Sequence, residues 1–271
     1  MHSKLRQQGF TLIELVMVIV IMGVIGGIVA VFMKSPIDAY FDTARRAALT
    51  DVADTTVRRM ARDIRKALPN SIRQLNSQCI EFIPTKTGGR YRAEETVAGD
   101  GTSLNFSATD TTFNMLGDNG TLAADQQIAA GDLIAVYNLG IAGSDAYAGD
   151  NTSVVSSVAN GTETVITIAS KKFPLASGSN RFHVVPGSEK VVAYICDGSG
   201  NLLRNANYAY TTSSTCPTAG ATVMANKIAA CNFVYNGSDL QRNALVQLGI
   251  TFAEKGESVN LYHEVHVNNT P

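Results

Sequence analysis

The chain has 271 residues, with 22 Lys and Arg against 23 Asp and Glu, four Cys and no Trp. That length is enough for a sizeable hydrophobic core, in one large domain or two small ones. A net charge of −1 excludes a polybasic nucleic-acid binder and an acidic solvating tail as descriptions of the whole chain.

The first nine residues form a short polar leader carrying Lys4 and Arg6. Phe10–Met33 then runs for 24 residues with Glu14 as its only charge. As a helix this run is roughly 36 Å long, enough to cross a hydrocarbon layer of about 30 Å with some tilt. Buried core helices seldom reach such length without polar interruption, so the run reads as membrane-inserted. A cleaved secretory signal fits poorly: the apolar stretch is too long and no small-residue cleavage site follows it. Cutting after the leader, at Gly9, would instead leave the whole apolar helix on the mature chain. Flanking charge does not settle orientation, because Lys34, Arg45 and Arg46 follow the run while Lys4 and Arg6 precede it. Gly23 and Gly27 make a G-x-x-x-G pair, the spacing that lets helices approach closely. Pro36, just beyond, predicts a kink.

Residues 34–68 carry eight basic and five acidic side chains and keep helical period. Ile37, Phe41, Ala44, Ala48 and Val52 recur three or four apart, as do Ala53, Val57, Met60, Ile64 and Leu68. Pro69-Asn70 should end the helix. The basic cluster Arg58, Arg59, Arg62, Arg65 and Lys66 reads as a solvated face touching acidic neighbours, since Asp51, Asp54 and Asp63 share the segment.

From residue 69 the pattern becomes short strands broken by turn residues. Predicted strands are 79–83, 103–106, 133–137, 154–158, 164–168, 182–185, 191–196, 201–204, 227–235, 246–252 and 259–267. Asp197-Gly198-Ser199-Gly200 and Asn236-Gly237 are predicted hairpin turns. Residues 96–179, rich in Gly, Thr, Ser, Asn and Asp, read as a β-rich insertion or a set of long loops. Cys79, Cys196, Cys216 and Cys231 lack zinc-site spacing and fit two disulfides in an oxidising compartment. Of the three possible connectivities, proximity in sequence favours Cys196–Cys216 with Cys79–Cys231.

No catalytic constellation emerges, and no metal or cofactor is expected. Tyr262-His263-Glu264-Val265-His266 is not H-E-x-x-H, and on a strand its two imidazoles point to opposite faces. Asp197–Asn201 is similar to the start of a calcium loop but lacks the required Gly and bidentate Glu, so it reads as a turn. Asp145 and Asp150 are a remote calcium candidate. Tyr147, Tyr208 and Tyr210 are the aromatics available to stack a sugar in a chain without Trp.

The run Lys4-Leu5-Arg6-Gln7-Gln8-Gly9-Phe10-Thr11-Leu12-Ile13-Glu14 resembles the class III prepilin signal of type IV pilins and type II secretion pseudopilins. A weaker likeness, through Val191–Cys196, Leu202–Arg204 and Cys231–Tyr235, is to minor pilins related to the J-type pseudopilins. As a whole the chain resembles the O-type minor pilins of mannose-sensitive haemagglutinin pili. The resemblance implies an α+β fold with a long N-terminal helix and an antiparallel β head. It implies cleavage between Gly9 and Phe10 by a prepilin peptidase, N-methylation of Phe10, and a pairing of Glu14 with the terminal amine of a neighbouring subunit. It implies a non-enzymatic subunit whose partners are the major pilin, other minor pilins, the peptidase/methyltransferase and an inner-membrane assembly platform. A type II secretion pseudopilin, or a head acting as an adhesin or sugar-binding module, are the alternative roles. The expected organisation is a leader (1–9), a transmembrane half-helix (10–33), an amphipathic stalk (34–68) and a periplasmic head (69–271).

Overall fold

Helix α1 spans Leu12–Arg65 in a computed structural model that describes residues 9–206, 208–237 and 243–271. The leader residues Lys4 and Arg6 lie outside the described residues. The chain divides into two units, residues 1–48 and 49–271. In the first, every described residue from Gly9 to Phe41 is exposed, and the helix runs on through Pro36. In the second, Leu49, Ala53, Val57, Met60 and Ile64 form a buried stripe at helical spacing. α1 stops at Arg65, three residues short of the predicted end. Its last turn closes with Lys66 and Ala67 N–H groups donating to the Asp63 and Ile64 carbonyls at 3.0 Å. Asn70 then takes a left-handed conformation (φ 56°), which Asn tolerates better than most residues.

Fourteen strands follow among the described residues. They are β1 (Arg73–Asn76), β2 (Cys79–Phe82), β3 (Thr87–Arg90), β4 (Asp110–Leu116), β5 (Leu133–Ala135), β6 (Thr152–Ala159) and β7 (Glu163–Lys171). Then come β8 (Arg181–Val185), β9 (Val192–Cys196), β10 (Asn201–Asn205), β11 (Thr222–Asn226), β12 (Ile228–Asn236), β13 (Asn243–Glu254) and β14 (Glu257–Asn268). They make three antiparallel sheets, ordered β1-β2-β9-β10-β11, β12-β13-β14 and β3-β8-β5-β6-β7-β4.

The stripe of α1 packs on the first two sheets, against Phe82, Tyr194, Leu202, Phe233, Leu248 and Val265 among others. β13 shows why its sequence makes a half-buried strand: Ala244, Val246, Leu248, Ile250 and Phe252 alternate inward. β9 is buried on both faces. Its Val192, Tyr194 and Cys196 face α1, while Ala193 and Ile195 face the segment after β10 that holds Tyr208 and Cys216. The six-stranded sheet has a separate core built on Phe113, Ile134, Ile166, Phe173 and Phe182.

Several strand expectations change, and β1 and β11 fall outside every predicted strand. Residues 103–106 form no strand, because the Asn105 side chain accepts the Ser107 and Ala108 N–H groups (2.8 and 3.1 Å) and turns the chain there. The strand lies instead at β4, where Phe113 and Met115 alternate inward. β3 was not expected, since Thr87-Gly88-Gly89-Arg90 carries no β-forming pattern. A Cβ on Gly89 would lie 2.8 Å from Met115 Sδ and 2.9 Å from the Phe182 ring, so close approach of the strand dictates the glycine. The connection between β12 and β13 is longer than the two-residue turn predicted at Asn236-Gly237, and residues 238–242 lie outside the described ones. β13 and β14 are joined by a tight turn at Lys255-Gly256, both at positive φ, between the paired Glu254 and Glu257. A long apolar N-terminal helix followed by an antiparallel β-rich head is an α+β architecture and matches the type IV pilin-like fold.

Candidate assembly site at the start of the helix

The apolar run begins with a built helix terminus. Thr11 is the non-helical residue before α1, and Glu14 is the third residue within it. The Glu14 carboxylate accepts the Thr11 backbone N–H at 2.9 Å and the Thr11 hydroxyl at 2.8 Å. In return the Thr11 hydroxyl oxygen accepts the Glu14 N–H at 3.4 Å. This is a reciprocal capping box, worth about 1 kcal/mol to the helix start. Sequence reasoning missed it, although Thr-x-x-Glu ahead of an apolar run is its signature. Both donors reach Oε2 of Glu14; among the described residues no donor reaches Oε1.

Phe10 is 85% exposed, and in the unprocessed chain its nitrogen is an amide, not an ammonium. A Cβ on Gly9, Gly23 or Gly27 would meet nothing within 4 Å. No packing among the described residues therefore demands glycine at these places. Leu12, Ile13, Val31 and Phe32 are all largely exposed. Among the described residues one helix is long and apolar enough to cross a membrane, and it is α1. A lone N-terminal span with a separately folded β head supports a membrane-anchored protein with an extracytoplasmic head.

All four cysteines are disulfide-bonded, but not as expected: Cys79 pairs with Cys216 and Cys196 with Cys231. The pleat explains the correction. Cys196 belongs to the α1-facing row of β9, where Cys231 on β12 packs against the same core. Cys79 lies on the opposite face of that sheet, beside Cys216. A Cys196–Cys216 bond would have to pass through the sheet.

The tyrosines offered for sugar stacking are occupied elsewhere. Tyr147 is buried, and its hydroxyl donates to the Ser71 carbonyl at 3.0 Å. Tyr208 donates to Glu81 at 2.7 Å. The Tyr210 ring meets Tyr147 edge-on at 6.1 Å. Burial, with the Glu81 charge nearby, pushes the Tyr147 and Tyr208 phenols well above their ordinary range. These contacts hold the partly buried Tyr208 and Tyr210 of the segment after β10 against Glu81 and Tyr147.

The histidines and aspartates are likewise placed. His263 is partly buried on the α1 side of β14, and His266 is exposed on the other side. Asp150 accepts the Gly143 and Asp145 N–H groups, and Asp145 accepts that of Tyr147, so these carboxylates shape their own loop. Within the β9–β10 turn Asp197 accepts the Asn201 side-chain amide and then the Asn201 and Ser199 N–H groups, which lowers its carboxyl below the usual range. Among the described residues no three His, Cys, Asp or Glu side chains gather as a metal-holding group.

Residues 4–30 match the family described as the prokaryotic N-terminal methylation motif. No curated protein and no solved structure matches the chain significantly. The motif together with the long apolar helix supports a type IV pilin- or pseudopilin-like protein with a structural role.

Proposed function

We propose that the chain is a minor pilin of a mannose-sensitive-haemagglutinin-like type IV pilus. It is a structural subunit, not an enzyme, and acts in fibre assembly at or near the tip. In this reading it waits in the bacterial inner membrane with its N-terminus cytoplasmic and its head periplasmic. A prepilin peptidase cuts between Gly9 and Phe10 and methylates the new amine. The assembly platform then draws the subunit into a fibre with the major pilin and other minor pilins. The observation that carries the reading is the methylation motif set directly on an exposed apolar helix whose glycines serve no contact of their own.

Within the fibre, Glu14 would meet the terminal ammonium of a neighbouring subunit, and removing one partner of such a buried pair costs about 3–5 kcal/mol. A minor pseudopilin of type II secretion would carry the same motif and fold, and co-purification with pilus or secretion subunits separates the two.

The test is processing followed by incorporation. Gly9→Val should leave a precursor about nine residues heavier by mass spectrometry, because a branched side chain crowds the scissile backbone. A mature chain starting at Phe10 in that variant would overturn the cleavage assignment. Glu14→Val should be cut and held in the membrane normally but be depleted from sheared fibres. Unchanged incorporation would sink the ammonium pairing.

A further inference from the structure

β14 forms the outer edge of its sheet and pairs with β13 without a bulge from Asn268 to Glu257. Among the described residues no backbone group pairs along its other side. Folded proteins shield such edges with charged side chains, Lys above all, with Pro, bulges or a covering segment. β14 carries Glu257 and Glu264 but is twelve residues of regular strand without Lys, Pro or a bulge, and no described residue pairs with its free edge.

A second feature lies alongside. Between α1 and β14 runs a groove of about 610 Å³, floored by Val57 and Ala61 and walled by Arg58, Arg62, Arg65 and His263. Arg58 is paired with Asp54 at 2.6 Å, with both side chains more than half exposed. Arg62 and Arg65 have no acidic partner among the described residues. The cluster therefore has cationic capacity that the head itself does not use.

The two features share one geometry. His263, Val265 and Val267 form the row of β14 that faces α1. A strand added beyond β14 would sit about 4.8 Å further out, with every second side chain on that same side, over the groove. Arg58 to Arg65 rises about 10 Å along the helix, and alternate strand residues are about 6.8 Å apart, so two or three acidic side chains match the arginine cluster in length.

We propose that β14 accepts an extended acidic segment of another protein as an added strand, with alternate Asp or Glu carboxylates set against Arg58, Arg62 and Arg65. A second copy of this chain is a poor donor. Its own exposed acidic stretch is folded on itself: Asp100 accepts the Thr96, Val97 and Thr102 N–H groups, and Glu95 accepts those of Gly99 and Gly101. The site needs neither cleavage nor fibre assembly to exist, so its test is separate from theirs.

The probe is a fluorescein-labelled peptide of about ten residues alternating Glu with Val. It is titrated against the full chain in detergent micelles by fluorescence anisotropy. Binding should weaken with salt and fall at least about tenfold in Arg58→Glu/Arg62→Glu, whose exposed positions leave the fold intact by circular dichroism. It should also fall when alternate backbone nitrogens of the peptide are methylated, and a Lys/Val peptide should not bind. Equal binding of the N-methylated peptide, full competition by inorganic phosphate, or no binding of the acidic peptide would each overturn the proposal.

Discussion

Glu81 tests the interior of the head most sharply. Its side chain is 1% exposed, and it faces Arg73 directly across the β1–β2 pair. Arg73 Nε donates to Oε1 of Glu81 at 2.9 Å, and the Tyr208 hydroxyl donates to Oε2 at 2.7 Å, so both oxygens are satisfied. Arg73 also donates to the Thr211 carbonyl at 2.7 Å and lies 3.5 Å over the Tyr147 ring. Arg73→Met leaves a buried carboxylate with one neutral donor and should cost about 3–5 kcal/mol. Arg73→Met/Glu81→Leu removes both charges and leaves the Tyr208 hydroxyl without its acceptor, about 1–3 kcal/mol, while the Thr211 carbonyl loses its donor equally in both variants. The double variant should therefore be more stable than the single one. Urea unfolding of the full chain in detergent, followed by near-ultraviolet circular dichroism of its nine tyrosines, measures both. A single variant costing under about 1 kcal/mol, or a double variant no more stable than the single one, would refute the claim that the pair is held by mutual compensation.

Two further predictions concern the same head. Peptide mapping without reduction should link Cys79 to Cys216 and Cys196 to Cys231, and a Cys196–Cys216 peptide would refute the arrangement. Opening the 35-residue loop with Cys196→Ser/Cys231→Ser should cost about 4 kcal/mol, and opening the 137-residue one about 5, by loop-closure entropy in urea titrations. His183 on β8 has a buried Nε2 without a partner, and burial, then the nearby Arg181 charge, pulls its imidazole down to about 4. Because the unfolded chain binds this proton near 6.5 and the folded chain only near 4, stability is complete above 6.5. It should fall by about 3 kcal/mol as pH drops from 6.5 towards 4. Thermal unfolding across that window should show the loss in the wild type, and an equal slope in His183→Leu would assign it to other groups.

What the sequence disclosed follows the range of the interactions involved. The apolar half of α1 and the stripe Ala53, Val57, Met60 and Ile64 are local patterns, and the helix follows them. β9 and β13 are β-branched or alternating runs and are strands. β3 is legible only through the Met115 and Phe182 side chains that press on Gly89, which belong to strands far off in sequence. The disulfides failed for a related reason: which face of β9 carries Cys196 depends on where α1 lies, and sequence proximity carries no such information. The Arg73–Glu81 pair was invisible because β1 itself gives no strand signal. The capping box, by contrast, is purely local: Thr11 and Glu14 stand three apart directly ahead of the apolar run.

The capping box gives Glu14 a role before any assembly. A carboxylate within an apolar run needs partners, and insertion of an acidic side chain at the centre of a span costs about 2.5–3.5 kcal/mol. Here two hydrogen bonds from Thr11 meet part of that need inside a single subunit, and the exchange also satisfies N–H groups that a helix start leaves open. An unassembled subunit therefore supplies part of the compensation Glu14 requires from its own chain. Because both Thr11 donors share Oε2, Oε1 stays free for one more. Under the proposed assembly, a neighbour's ammonium can add to the capping box rather than break it. Docking then costs no hydrogen bond already made, and an acid at this position serves the waiting subunit and the assembled one with the same geometry.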